Sequence, residues 1–194
     1  NAVSNVNRAN SLKNLGYIYS SEGKNDLALN SFKTALELTS GSSSDYYLIS
    51  GEVAMLEGKP QNALTAYNKA YQLKPDDYQI NNALAIFYMD IEDQSPEYVD
   101  YPKAVQYAVR ANQLTDLQVI KQNLGIAYFF NEQYDLAIST LNGVSLDKDT
   151  YTAYYIGLSY IAKGNIPMAK LYINKAIVNG TEVPQKVKDY ITLN

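Results

Sequence analysis

GEVAMLEGKPQNALTAYNKAY, residues Gly51 to Tyr71, reads as two amphipathic helices broken by a tight turn at Glu57-Gly58-Lys59-Pro60. Its apolar positions recur with a period near 3.6, the signature of a helix with one buried face. Gly58, with Pro60 two residues on, is a strong local stop signal. The same figure returns along the chain. GYIYSSEGKNDLALNSFKTAL starts at Gly16, GIAYFFNEQYDLAISTLNGV at Gly125 and GLSYIAKGNIPMAKLYINKAI at Gly157. ALAIFYMDI from Ala83, followed by YPKAVQYAVRANQL from Tyr101, fits once a short insertion is set aside. Each unit is therefore a helical hairpin, and the chain is a tandem array of five.

The small residues carry the strongest signal. One position in each first helix holds Gly16, Gly51, Ala85, Gly125 and Gly157. One in each second helix holds Ala28, Ala63, Ala104, Ala137 and Ala169, and another holds Ala35, Ala70, Ala111, Val144 and Ala176. Where helix axes pass at roughly 8–10 Å, only a small side chain fits the crossing. Larger residues also recur in register. Tyr19, Tyr88, Tyr128 and Tyr160 share one position, with Ala54 departing. Phe32 and Tyr67 share another, followed by Ala108, Leu141 and Ile173. These are expected to pack between paired helices. In this pattern the chain resembles the tetratricopeptide-repeat family, whose unit is about 34 residues long.

The resemblance implies an all-α, right-handed superhelical solenoid of antiparallel helix pairs, forming one array over residues 1–194. The repeats are expected at 9–43, 44–77, 78–117 with an insertion at 92–98, 118–149 and 150–181. A capping helix is expected at 182–193, with Thr181 as its N-cap and Val183, Val187, Tyr190 and Ile191 on one face. A solenoid needs such a helix to cover its last apolar face. The fourth unit is short and carries Gly143 late in its second helix, where fraying is expected. Val3 and Val6 are all that residues 1–8 offer for burial.

Composition narrows the function. The 194 residues are 46% hydrophobic and 19% charged, in the range of ordered globular chains. Sixteen Lys and Arg against 20 Asp and Glu give a net charge of −4, which argues against a nucleic-acid binder held by phosphate contacts. There is no Cys and no His. That removes disulfides, the thiolate nucleophile and the commonest general base and metal ligand. No Gly-rich phosphate loop is present either, so no enzyme chemistry and no cofactor or metal site is expected. No apolar run is long enough to span a bilayer. The chain begins at Asn1 rather than Met, which reads as a piece of a longer product. The absence of Cys fits the cytoplasm and an extracytoplasmic space equally. From Asp76 to Asp100 there are seven acidic residues and no Lys or Arg. This reads as a solvated loop whose last member, Asp100, caps the next helix. A contact for a basic partner is the alternative. The spacing is not that of an EF-hand calcium loop.

The resemblance also implies where a partner binds. Such arrays hold a peptide or a partner helix along the concave face, lined by first helices. The corresponding residues are Asn10, Lys13, Asn14 and Tyr17 in the first unit, Asp45 and Glu52 in the second, and Gln79 and Asn82 in the third. Gln122, Asn123 and Phe129 follow in the fourth, with Tyr151, Tyr154 and Tyr155 in the fifth. Members that grip the C-terminal carboxylate of chaperones place Lys, Arg and Asn at five sites. Here Lys13 matches one, whereas Tyr17, Ile49, Gln79 and Ala83 fill the others, so that specificity is not expected. The groove of the last two units is uncharged and rich in aromatics and amides, a chemistry suited to an extended peptide with an apolar or aromatic segment. The expected function is a non-catalytic interaction scaffold or adaptor. Self-assembly of copies into a larger complex is the alternative.

Overall fold

A computed structural model describes residues 2–90, 96–145 and 151–193. Those residues form eleven α-helices and no strand. They divide into two compact units, Asn1–Val99 and Asp100–Asn194. The boundary falls in the third repeat, beside the expected insertion. Residues 92–95 of that insertion, including the acidic Glu92 and Asp93, lie outside the described residues, as do 146–150 at the junction of the last two repeats.

The first unit holds α1 (Ala2–Ser21), α2 (Asn25–Glu37), α3 (Ser44–Leu56), α4 (Pro60–Leu73) and α5 (Tyr78–Asp90). Each helix packs on the next in the chain. The core lies where the paired helices cross. Phe32 and Tyr67, from α2 and α4, are buried over Gly16 and Gly51 of their partner helices. A Cβ at Gly51 would sit 2.3 Å from the Tyr67 ring, so the hairpin closes only because that position has no side chain. Burial of such an aromatic is worth about 2–3 kcal/mol, and the crossing converts one glycine into that contact. α1 begins a full two turns ahead of the repeat, with Val3 and Val6 exposed. Asn81, fully buried on α5, donates from Nδ2 to Pro75 O at 2.7 Å and Asp77 O at 2.8 Å, fixing the loop that enters α5. A single 3-10 turn at Pro96–Tyr98 is held to the unit by the Tyr98 hydroxyl, which donates to Gln61 Oε1 at 2.6 Å.

The second unit holds α6 (Tyr101–Leu114), α7 (Gln118–Phe130), α8 (Tyr134–Asn142), α9 (Thr152–Ala162), α10 (Ile166–Val178) and α11 (Gln185–Leu193). Asp100 caps α6, its carboxylate accepting from the Lys103 N–H at 3.0 Å. α8 has nine residues where α10 has thirteen, and it stops at Gly143. The truncated end is held by α7: Lys121 Nζ donates to Gly143 O at 2.9 Å, and Gln118 Oε1 accepts from Ser145 N–H at 3.0 Å. The terminal helix opens at Gln185, three residues later than the sequence suggests. Pro184 is the reason, because a proline disfavours helical geometry in the residue before it. Thr181 therefore is no N-cap. Its N–H instead donates to Ala176 O at 2.9 Å and closes α10 behind Gly180. Val183, Val187 and Ile191 still seal the apolar face of α9 and α10.

One backbone device makes four of the hairpins. The N–H groups of Lys24, Lys59, Gln133 and Asn165 donate to the carbonyls of Tyr19, Ala54, Tyr128 and Tyr160, at 2.8 to 2.9 Å. This is the six-to-one bond of a Schellman closure, which requires a left-handed residue just before the donor. Gly23, Gly58 and Gly164 supply it with φ of 71°, 68° and 70°. In the α7–α8 turn the residue is Glu132, at φ 58°.

Candidate functional site

Two clusters gather most of the residues assigned to the partner-binding face. In the first unit the cluster is polar. Lys13 on α1 is only 5% exposed, and its ammonium donates to Asp45 Oδ1 on α3 at 2.9 Å and to Gln79 Oε1 on α5 at 2.8 Å. Three first helices, 32 and 66 residues apart along the chain, are thus joined through one nitrogen. One turn further along α1, the Tyr17 hydroxyl donates to Glu52 Oε1 at 3.4 Å, while its ring meets Phe32 edge-on at 5.2 Å. Tyr67 also donates to the Glu52 carboxylate. Burial pushes the Glu52 pKa up to about 7, against the opposing pull of the Tyr67 and Tyr17 hydroxyls and the Lys13 charge. The same burial, with Glu52 next, drives both tyrosine hydroxyls well above their usual range. Asn10 and Asn14 stand exposed on α1, and Asn82 is half-buried on α5.

In the second unit the cluster is aromatic. Phe129 at the end of α7 and Tyr155 on α9 have ring centroids 5.2 Å apart, edge to face. Phe130 lies 5.9 Å from Tyr155 and stacks on Tyr101 of α6 at 5.6 Å. Tyr134 and Tyr154 close the ring of contacts, 5.9 Å from Phe129 and 5.5 Å from Tyr155. All of these rings are partly open to solvent. Such pairs add about 0.5–1.5 kcal/mol beyond burial alone, so the cluster is rigid while still presenting ring edges. Partial burial raises the Tyr154 pKa. Tyr151 is 57% exposed, just before α9.

The amides divide. Gln122 is 7% exposed, and its Nε2 donates to Thr152 Oγ1 at 2.9 Å, so it joins α7 to α9 from within. Asn123, its neighbour, is half-buried. Phe130 and Tyr101 belong to the aromatic cluster without having been assigned to it. The available signal was the Phe129-Phe130 doublet, but adjacent helical residues diverge by about 100° and normally share no face. At the end of α7 both rings nonetheless reach Tyr155.

The tetratricopeptide-repeat family model matches residues 9–41 and 44–77, roughly a third of the chain. No curated protein is significantly similar in sequence. Among solved structures, the Cut9–Hcn1 hetero-tetramer of APC/C aligns with 95% of this chain at a TM-score of 0.72 and 21% identity. The chain spans only 35% of that protein's length. PilF of Pseudomonas aeruginosa aligns over 95% of this chain and 81% of its own, with a TM-score of 0.68 and 18% identity. YrrB, described as a TPR protein with an unusual peptide-binding site, covers 87% and 84%, with a TM-score of 0.61 and 22% identity. Two of this chain's repeats match the tetratricopeptide-repeat family model, and its fold is that of solved tetratricopeptide-repeat structures. It is the fold of a protein-interaction scaffold.

Proposed function

We propose that the chain is a non-catalytic adaptor that captures a peptide or partner helix on the face formed by its first helices. An apolar or aromatic side chain of the partner docks against the cluster on α7 and α9. The supporting observation is the pairing of Phe129 with Tyr155, on two helices in mutual contact, with ring edges left open. Aromatic anchors in preformed seats dominate interface energies, and a seat already rigid loses little entropy on binding. Asn123 stands on α7, the helix that carries Phe129, and a side-chain amide matches a peptide backbone, which has one donor and one acceptor per residue.

The test is a random 12-residue peptide display library selected on the purified chain. Peptides enriched on the wild type are expected to carry an aromatic or large aliphatic residue at a fixed position and to lose at least tenfold in affinity for Tyr155→Ala. Peptides binding Tyr155→Ala and Asn123→Ala as tightly as the wild type would place the site elsewhere. Self-association is the second reading, favoured by Val178 and Leu193, which are 85% and 83% exposed near the C-terminal helix pair. Light scattering on eluted protein separates the two: concentration-dependent dimers that vanish in Val178→Ser/Leu193→Ser would support it.

A further inference from the structure

We infer that the polar cluster of the first unit is a seat for one cationic side chain, a lysine or arginine of the bound partner, with the Glu52 carboxylate as counter-ion. This rests on the peptide-capture reading and names what the partner brings to the first unit.

Glu52 and Asp45 lie seven residues apart on α3, two turns along one face. Around that face stand Lys13 and Tyr17 from α1, Tyr67 from α4, and Asp77 and Gln79 at the entrance to α5. Two ammonium groups meet three carboxylates there, and both are already committed. Lys13 is held at 2.9 Å by Asp45 and at 2.8 Å by Gln79. Lys74 is held at 2.7 Å by Asp77. Among the described residues no ammonium or guanidinium lies within 4.0 Å of Glu52.

Glu52 is therefore the acid left over. It is oriented by two tyrosine hydroxyls, drawn in from solvent but still partly open to it. A carboxylate has about four acceptor positions, and the two hydroxyls occupy two of them. The Tyr17 bond at 3.4 Å is long and easily shared. A cation entering along this face meets an acceptor already aimed, and it supplies the missing charge. The raised pKa follows from the same geometry, since burial without a close counter-charge favours the protonated form. Near pH 7 about half the molecules hold that proton, and an arriving lysine or arginine releases it to solvent. The chain has no His, so no unperturbed side chain of its own titrates in the same window.

The experiment uses the display-selected peptides on the wild type, Glu52→Gln and Tyr155→Ala. Glutamine keeps the size of Glu52 and its acceptor for the tyrosine hydroxyls. Wild-type selections are expected to share a Lys or Arg at one fixed position. Replacing that residue by norleucine should weaken binding about tenfold on the wild type, as expected for loss of a close charge pair, and less than twofold on Glu52→Gln. Wild-type affinity should rise between pH 6 and pH 8, by up to about tenfold per unit below pH 7, because only the ionised fraction is competent. Calorimetry of the wild type in phosphate and in Tris should show release of about half a proton at pH 7, a readout that needs no variant. Peptides that show no coupling between a basic residue and Glu52, or no proton release, would overturn this inference, while loss of affinity in Tyr155→Ala tests the adaptor reading separately. Failure to select any peptide would overturn both.

Discussion

The ammonium of Lys13 lies 2.9 Å from Asp45 Oδ1, and the two residues differ sharply in exposure: the Lys13 side chain is 6% exposed, that of Asp45 49%. The lysine that a carboxylate-gripping relative would offer to its ligand is here turned inward and held. The asymmetry sets an order for substitutions. In Asp45→Ala a buried ammonium keeps only Gln79 as a close partner, whereas in Lys13→Met the carboxylate left behind is solvated. Breaking a buried pair from the side that strands the charge is the costly direction. Asp45→Ala should lower stability by roughly 2 kcal/mol and Lys13→Met by less than about 1. Urea titrations giving the reverse order would contradict this placement of the charge.

Glu52 makes stability depend on pH in an unusual direction. Its folded pKa of about 7 lies above the ordinary 4.5, so between those values the folded state holds a proton that the unfolded chain has lost. The contribution is fully present below pH 4.5 and disappears as pH rises through 7. Stability should fall by on the order of 2–3 kcal/mol between pH 5 and pH 8. In Glu52→Gln that slope should vanish. Equal slopes in the two proteins, measured by chemical unfolding, would show that the carboxyl is not held protonated.

Glu132 occupies the left-handed position that glycine fills in three sister turns, at φ 58°. A left-handed residue with a Cβ is strained by about 1–2 kcal/mol, partly offset in a glycine variant by the greater freedom of the unfolded chain. Glu132→Gly should therefore stabilise the second unit by about 0.5–1 kcal/mol. Gly58→Ala in the sister turn should destabilise by a similar amount. A melting temperature that falls in Glu132→Gly would refute the strain.

Gly51 and Gly41 separate close approach from composition. A Cβ at Gly51 meets Tyr67 Cε1 at 2.3 Å, whereas one at Gly41 meets nothing within 4 Å. Gly51→Ala should cost about 2–3 kcal/mol, since the ring is fully enclosed and has nowhere to move. Gly41→Ala should change stability by less than about 0.5 kcal/mol. Comparable losses in the two variants would mean that the α3–α4 crossing tolerates a wider gap.

The fold was legible because its instructions are local and repeated. Gly16 beneath Phe32 and Gly51 beneath Tyr67 are each written within one repeat, and the repetition distinguishes them from chance. The site was less legible because its chemistry is written between repeats. Nothing near Lys13 announces a bond to Gln79, 66 residues away. Likewise Gln122 has the composition of a groove amide, yet its donor is spent on Thr152. Pro184 shifted a helix start through a backbone clash that side-chain periodicity does not report. Glu132 was readable only as an absence, the one hairpin turn among those four without its glycine.

The most direct test of peptide capture is amide and aromatic chemical-shift mapping of the labelled chain, titrated with the tightest peptide from the display selection. Saturable shifts should concentrate on Phe129, Phe130, Tyr154 and Tyr155, and Tyr155→Ala should abolish them. Tyr160, which stacks on Tyr172 at 5.7 Å between α9 and α10, should shift little. Shifts confined to α8 and α10, persisting in Tyr155→Ala, would contradict docking on the first-helix face.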